Sequence, residues 1–152
     1  MAIEVVVETR IGRSVKDVYR HLADLDRWPE WLIATGIRQL EREQTGAAVP
    51  GEAIRIDQNA AGRAAIFDGR VTRAEAPTHL AVSGKDTDGV SIDIAAQLVP
   101  VEPSISVLRW EVRIGVPFRY RIFESLARPQ VQRAVALDVE AFKRRLESVA
   151  AD

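Results

Sequence analysis

Apolar and polar residues alternate at the start of the chain, where Ile3, Val5 and Val7 are interleaved with Glu4, Val6 and Glu8. That is the period-two pattern of a half-buried strand rich in β-branched side chains. The period then changes. Ser14 has the chemistry of an N-cap, and Asp17 falls in the first turn, where negative charge is favourable. Val15, Val18, Tyr19 and Leu22 recur on one helical face, leaving Lys16, Arg20 and His21 outward, and the helix is expected to end near Asp24. Trp28-Pro29-Glu30-Trp31 follows, with Pro29 suited to the first position of a short helical turn.

From Gly36 onward, turn residues recur at Gly46, Pro50-Gly51, Gly62, Ala76-Pro77, Asp88-Gly89 and Pro100 to Pro103, dividing the chain into strand-like runs that suit an antiparallel meander. One face reads Ile54, Ile56, Gln58; Phe67, Gly69, Val71; Leu80, Val82; Ile92, Ile94, Ala96, Leu98; Leu108, Trp110, Val112, Ile114. The other carries Arg55, Asp57, Asp68, Arg70, Asp93, Arg109, Glu111 and Arg113, charges of both signs suited to cross-strand pairing in water. The covering element is the last segment. Pro129 is expected to start a helix whose stripe runs Val131, Val135, Val139, Phe142, Leu146 and Val149, and residues 115–128 receive no element. The order strand, short helices, six strands, long helix predicts an α+β domain: a seven-stranded antiparallel sheet wrapped around a long C-terminal helix, with two short N-terminal helices at one end. One helix is narrow for such a sheet, so the space between them is the expected site.

Composition narrows the function. A chain of 152 residues makes a single domain, residues 1–152, able to bury roughly 70% of its unfolded surface. A net charge of −1 with scattered acids and bases offers no one-sided basic field, so nucleic acid is not an expected partner. Cysteine is absent, which removes disulfides and thiol chemistry and fits a reducing compartment. No signal-like start and no apolar run approaching the ~20 residues of a membrane span are seen, so a cytoplasmic location without a membrane span is expected.

The aromatic residues Tyr19, Trp28, Trp31, Phe67, Trp110, Phe118 and Phe123 could wall a pocket of roughly 300 to 1,000 Å³, together with Ile54, Ile56 and Phe142 on the apolar faces; ordinary core packing is the competing reading. Gln58 is polar on an apolar strand face and could orient a ligand, or could simply mark a strand end before the turn at Asn59. Asp138 lies between Val135 and Phe142 on the stripe that should face the sheet. Buried there it would hold its proton and could donate a hydrogen bond or move a proton. Rotated to the stripe's edge it would pair with Arg133 or Arg145. His21 and His79 are not placed for a triad or a metal pair, and the isolated Gly12, Gly36 and Gly46 form no phosphate loop. Neither a metal nor a nucleotide cofactor is expected.

The segment Ile11-Gly12-Arg13-Ser14-Val15-Lys16-Asp17-Val18-Tyr19, leading to Leu22, Asp24 and Trp28-Pro29-Glu30-Trp31, resembles the START-like (SRPBCC) superfamily, nearest the polyketide cyclase/dehydrase-like group. The run Ser104-Ile105-Ser106-Val107-Leu108-Arg109-Trp110-Glu111 and the closing helix extend the resemblance over essentially the whole chain. It implies a helix-grip fold and a cavity under the long helix for an apolar molecule such as a lipid, sterol, polyketide or quinone. Some such families catalyse cyclisation or dehydration there, so membership implies a cavity rather than a reaction. Polyketide aromatase/cyclases use polar cavity groups, whereas every strand arginine here is expected on the outer face. The region after Gly115 also lacks the long glycine-rich stretch of relatives resembling the carbon monoxide dehydrogenase accessory subunit. Three functions stay open: an apolar-ligand carrier, sequestering protein or sensor; a cyclase/dehydratase-type enzyme with Asp138 as acid/base and Tyr19 or Gln58 positioning a carbonyl; or a scaffold whose cavity is filled by side chains. The sequence assigns no oligomeric state.

Overall fold

Seven strands form one antiparallel sheet in the order β1-β7-β6-β5-β4-β3-β2. They are β1 (Ala2–Ile11), β2 (Ile37–Arg42), β3 (Ala53–Ala60), β4 (Arg63–Glu75), β5 (His79–Lys85), β6 (Ser91–Glu102) and β7 (Ile105–Gly115). Strands β2 to β7 run as a meander, while β1 crosses to pair with β7 along its whole length, Ala2 opposite Gly115 and Ile11 opposite Ser106. The computed structural model describes residues 2–60 and 62–149. Between β1 and β2 lie α1 (Val15–Leu22), a 3-10 turn at Leu25–Arg27 and α2 (Trp28–Trp31); after β7 come a 3-10 turn at Phe118–Tyr120 and α3 (Arg121–Ser148). This is the helix-grip architecture, with one long helix against the inner face of a wide sheet.

Local signals explain most of these elements. The Ser14 side chain accepts from the Asp17 N–H at 3.2 Å and caps α1. Asp17 then accepts from Arg13 and Arg20, charges placed three and four residues away. The inner sheet face is apolar and buried from Ile54 to Val112, and the outer face pairs charges across registered strands: Arg55 with Asp68 at 2.9 Å, Arg109 with Glu8 at 3.5 Å, Arg113 with Glu4 at 3.5 Å. Gly69 faces inward opposite Gly84 where the strands approach so closely that a Cβ would fall 2.0 Å from the Ser83 carbonyl oxygen.

The loop entering β3 is held from inside. Arg42 and Glu52, both with side chains 1% exposed, pair at 2.6 Å; Arg42 also donates to the Gly46 carbonyl, and Glu52 accepts from the Val49 N–H.

The start of the long helix differs from the sequence expectation. Pro129 lies inside α3, and residues 121–128 are helical. This stretch contains Arg, Glu, Leu and Ala, all good helix formers, and a Glu124–Arg128 pair at 2.7 Å spans one turn. Pro129 has no N–H to offer the Ser125 carbonyl, so the first two turns are joined to the rest of α3 by a weakened ladder.

Candidate functional site

The aromatic residues divide into two sets. Trp28, Trp31 and Trp110 meet edge to face with centroids 5.2 to 6.2 Å apart, and Phe142 from α3 lies 4.6 Å from Trp31. Such geometry adds attraction beyond burial. The Trp28 Nε1–H also donates to the Leu22 carbonyl at 2.8 Å, tying α2 to the end of α1. Tyr19, Phe67, Ile54 and Ile56 are likewise buried. Burial first, and then the charge of Glu75, push the Tyr19 phenol above its ordinary value. Phe118 and Phe123 are elsewhere, exposed at 70% and 62% around the start of α3.

The two polar candidates converge on one residue. Asp138, 2% exposed, accepts from the Ala34 N–H through Oδ1 and from the Thr35 N–H through Oδ2, each at 2.8 Å, and the Thr35 hydroxyl donates to Oδ2 as well. The Gln58 amide donates to the Thr35 carbonyl at 2.8 Å. The turn between α2 and β2 is thus clamped from α3 and from β3. Gly36 completes it at φ +83°, where a Cβ would lie 2.1 Å from the Asn59 carbonyl oxygen. Burial raises the Asp138 carboxyl above the usual range, opposed by the bonds from Thr35 and Ala34. Neither Arg133 nor Arg145 is its partner; Arg145 reaches Glu30 at 2.9 Å.

Two cavities border these elements. A recess of about 200 Å³ is lined by His21, Asp24, Arg27, Trp31, Phe142 and Arg145, with Leu146 and Val149. It gives two candidate wall residues, Trp31 and Phe142, access from outside. Its rim is charged, and burial is the main influence lowering the His21 pKa, opposed by Asp17. A broader groove of about 640 Å³ lies on the outer sheet face among Asp68, Arg70, Ser83, Lys85, Ser91 and the run Gly115 to Pro117. Among the described residues no group of three or more His, Asp or Glu side chains could hold a metal ion.

Under α3 the filling is uneven. The half beyond Pro129 buries Val135, Val139, Phe142 and Leu146 at 1–2% exposure, and Phe142 joins the tryptophan cluster. The half before it offers the core only Ala127, with Val131 just beyond, and the carboxyl of Glu124. Glu124 is 6% exposed; its Oε1 accepts from Arg128, and its Oε2 has no donor among the described residues. Neither Glu124 nor Thr35 stood out in the sequence. For Glu124 a signal existed: it lies seven residues before Val131 and four before Arg128, on the extension of the inward stripe through the proline.

Comparison with known proteins agrees with this architecture. The chain resembles in structure a START superfamily protein from Mycobacterium smegmatis, with a TM-score of 0.74, 13% identity, and coverage of 97% of this chain and 99% of that one. A Zhui aromatase/cyclase from Streptomyces sp. R1128 gives a TM-score of 0.76 at 13% identity, covering 97% and 94%. A truncated norcoclaurine synthase from Thalictrum flavum gives 0.71 at 13%, covering 99% and 96%. These likenesses establish the fold. No curated protein matches the sequence. The model of the family described as polyketide cyclase / dehydrase and lipid transport matches residues 2–147. The chain therefore belongs to that family, and its fold is that of the START-like neighbours.

Proposed function

We propose that this protein binds an apolar small molecule, lipid, polyketide or quinone-like, between the sheet and α3, for transport, sequestration or sensing. The observation that carries the reading is the uneven filling under α3. Aromatic side chains pack one end, whereas small residues and a buried carboxyl face an apolar sheet at the other. A sheet face of this kind takes an apolar occupant without losing hydrogen bonds. Phe67, Ile54 and Ile56 would form its floor, Tyr19 and Trp110 its inner end, and Gln58 with Asp138 its rim. Binding is favoured over turnover because both oxygens of Asp138 are already engaged by Ala34 and Thr35, so acid/base work would require releasing that turn. A cytoplasmic location belongs to the same proposal, since a cysteine-free chain suits a reducing compartment.

The test is titration with 1,6-diphenylhexatriene, a hydrocarbon that fluoresces in apolar surroundings. Wild type is expected to bind it, and a folded Val131→Trp variant, which fills the space under α3, to bind it about tenfold more weakly or worse. Ile122→Ser, on the opposite face of the helix, should leave the affinity unchanged. No binding, or binding indifferent to Val131→Trp, would contradict the reading.

A further inference from the structure

The first turns of α3 carry a second apolar face, directed away from the sheet. At 100° per residue, Ile122, Phe123 and Leu126 cluster on the side opposite Glu124 and Val131, and Leu137 continues the stripe three turns on. Their exposures are 74%, 62%, 69% and 56%; Phe118, just before the helix, is 70% exposed. Large apolar side chains grouped in this way on a protein surface mark a contact with something else.

Charge identifies the partner. Arg119 and Arg121 stand at the start of the stripe and Arg133 falls within it, while Arg128 lies on the far side with Glu124, the one acid between Val116 and Leu137, which is turned inward with Oε1 on Arg128. Two guanidinium groups lie over rings of the same patch, Arg121 at 4.5 Å from the Phe118 centroid and Arg119 at 4.8 Å from that of Tyr120. The nearest acids from a packed element are Asp86 and Asp88. Both pair with Arg63; Arg119 donates to the Asp88 carbonyl and is also held by Tyr120 and, more weakly, by the charges of Asp88 and Asp86. Glu140, one turn beyond Leu137 and at the same helical angle as Ile122, is exposed and ends the apolar stripe.

An exposed apolar helix face flanked by arginines fits the boundary between acyl chains and anionic headgroups: the side chains enter the hydrocarbon edge while the guanidinium groups meet phosphate. We infer that the outward face of α3, from Phe118 to Leu137, docks the protein on an anionic lipid surface. The docking is peripheral, since no helix among the described residues is long and apolar enough to cross a membrane. It goes beyond the ligand reading and does not depend on it, because none of these side chains faces the sheet.

The experiment is cosedimentation of the full chain with vesicles of phosphatidylcholine mixed with phosphatidylglycerol, against vesicles of phosphatidylcholine alone, at low and high salt. Wild type is expected to sediment with the anionic vesicles, less at high salt, and weakly with the neutral ones. The Ile122→Ser/Leu126→Ser variant, checked for native circular dichroism, should lose about tenfold or more in vesicle affinity because two exposed apolar side chains are removed without disturbing the core. Absence of binding to anionic vesicles, or undiminished binding of the double variant, would overturn the inference. Equal, salt-insensitive binding to both vesicle types would overturn the charge-based assignment. A dimer detected by light scattering and abolished by the double variant would give the surface to a second copy of the chain and overturn the lipid partner. Diphenylhexatriene binding is read separately, so each proposal can fail while the other stands.

Discussion

Asp138 connects the long helix to the turn at Ala34 and Thr35, and its three donors make it a clamp. Asparagine at that position keeps one acceptor and turns an amide toward a donor, so Asp138→Asn should cost about 1–3 kcal/mol in urea unfolding. The pH dependence has a definite sign. Burial leaves the folded chain holding the Asp138 proton more tightly than the unfolded chain does. The contribution of this group to stability is therefore largest below the ordinary aspartate value, about 4, and declines as pH rises through the raised native value. The stability gap between wild type and Asp138→Asn should narrow as pH increases across that window; a constant or widening gap would contradict the raised pKa. Arg42 gives a larger effect. Replacing it by methionine leaves Glu52 buried without its cation and should cost about 3–5 kcal/mol, with much of the loss recovered in Arg42→Met/Glu52→Met, measured as a double-mutant cycle. Sequence pattern made Asp138 stand out but could not supply its partner, because Thr35 is 103 residues away along the chain. Gln58 is closer, 23 residues along the chain, but nothing in the strand pattern points its amide at the Thr35 carbonyl to which it donates.

At the scale of elements, the strands were legible because each has one wet face, and α1 because Ser14 caps it. The long helix was legible only beyond Pro129. Its first two turns carry apolar residues on the outward side, so Ile122, Phe123 and Leu126 do not continue the inward stripe, and proline looks like a start signal. The proline within the helix has a measurable consequence. Pro129→Ala restores an N–H to the Ser125 carbonyl and should stabilise the protein by up to about 3 kcal/mol. Amide hydrogen exchange across residues 121–128 should slow as well, as the two halves of α3 become one ladder. Unchanged exchange in a stabilised variant would mean that the proline does not divide the helix.

For the whole molecule, the element order carried the fold, since one strand, two short helices, a six-strand meander and a long helix leave few ways to bury a one-sided sheet. The site was less legible. Eight of the aromatic and aliphatic candidates are buried: Tyr19, Trp28, Trp31, Ile54, Ile56, Phe67, Trp110 and Phe142. Sequence pattern places a residue on an inward face but does not say whether its neighbour there is a side chain or a ligand. Phe118 and Phe123, alike in composition, face solvent because the 3-10 turn and the early start of α3 present them outward. The central claim is that the sheet and α3 enclose an apolar molecule. Native mass spectrometry of the freshly purified protein, followed by denaturing extraction, tests it most directly. A stoichiometric apolar adduct is expected, or a one-to-one complex formed on adding lipids, quinones or polyketides. A bare mass that stays unchanged with every member of that panel would contradict it and leave a core filled by its own side chains.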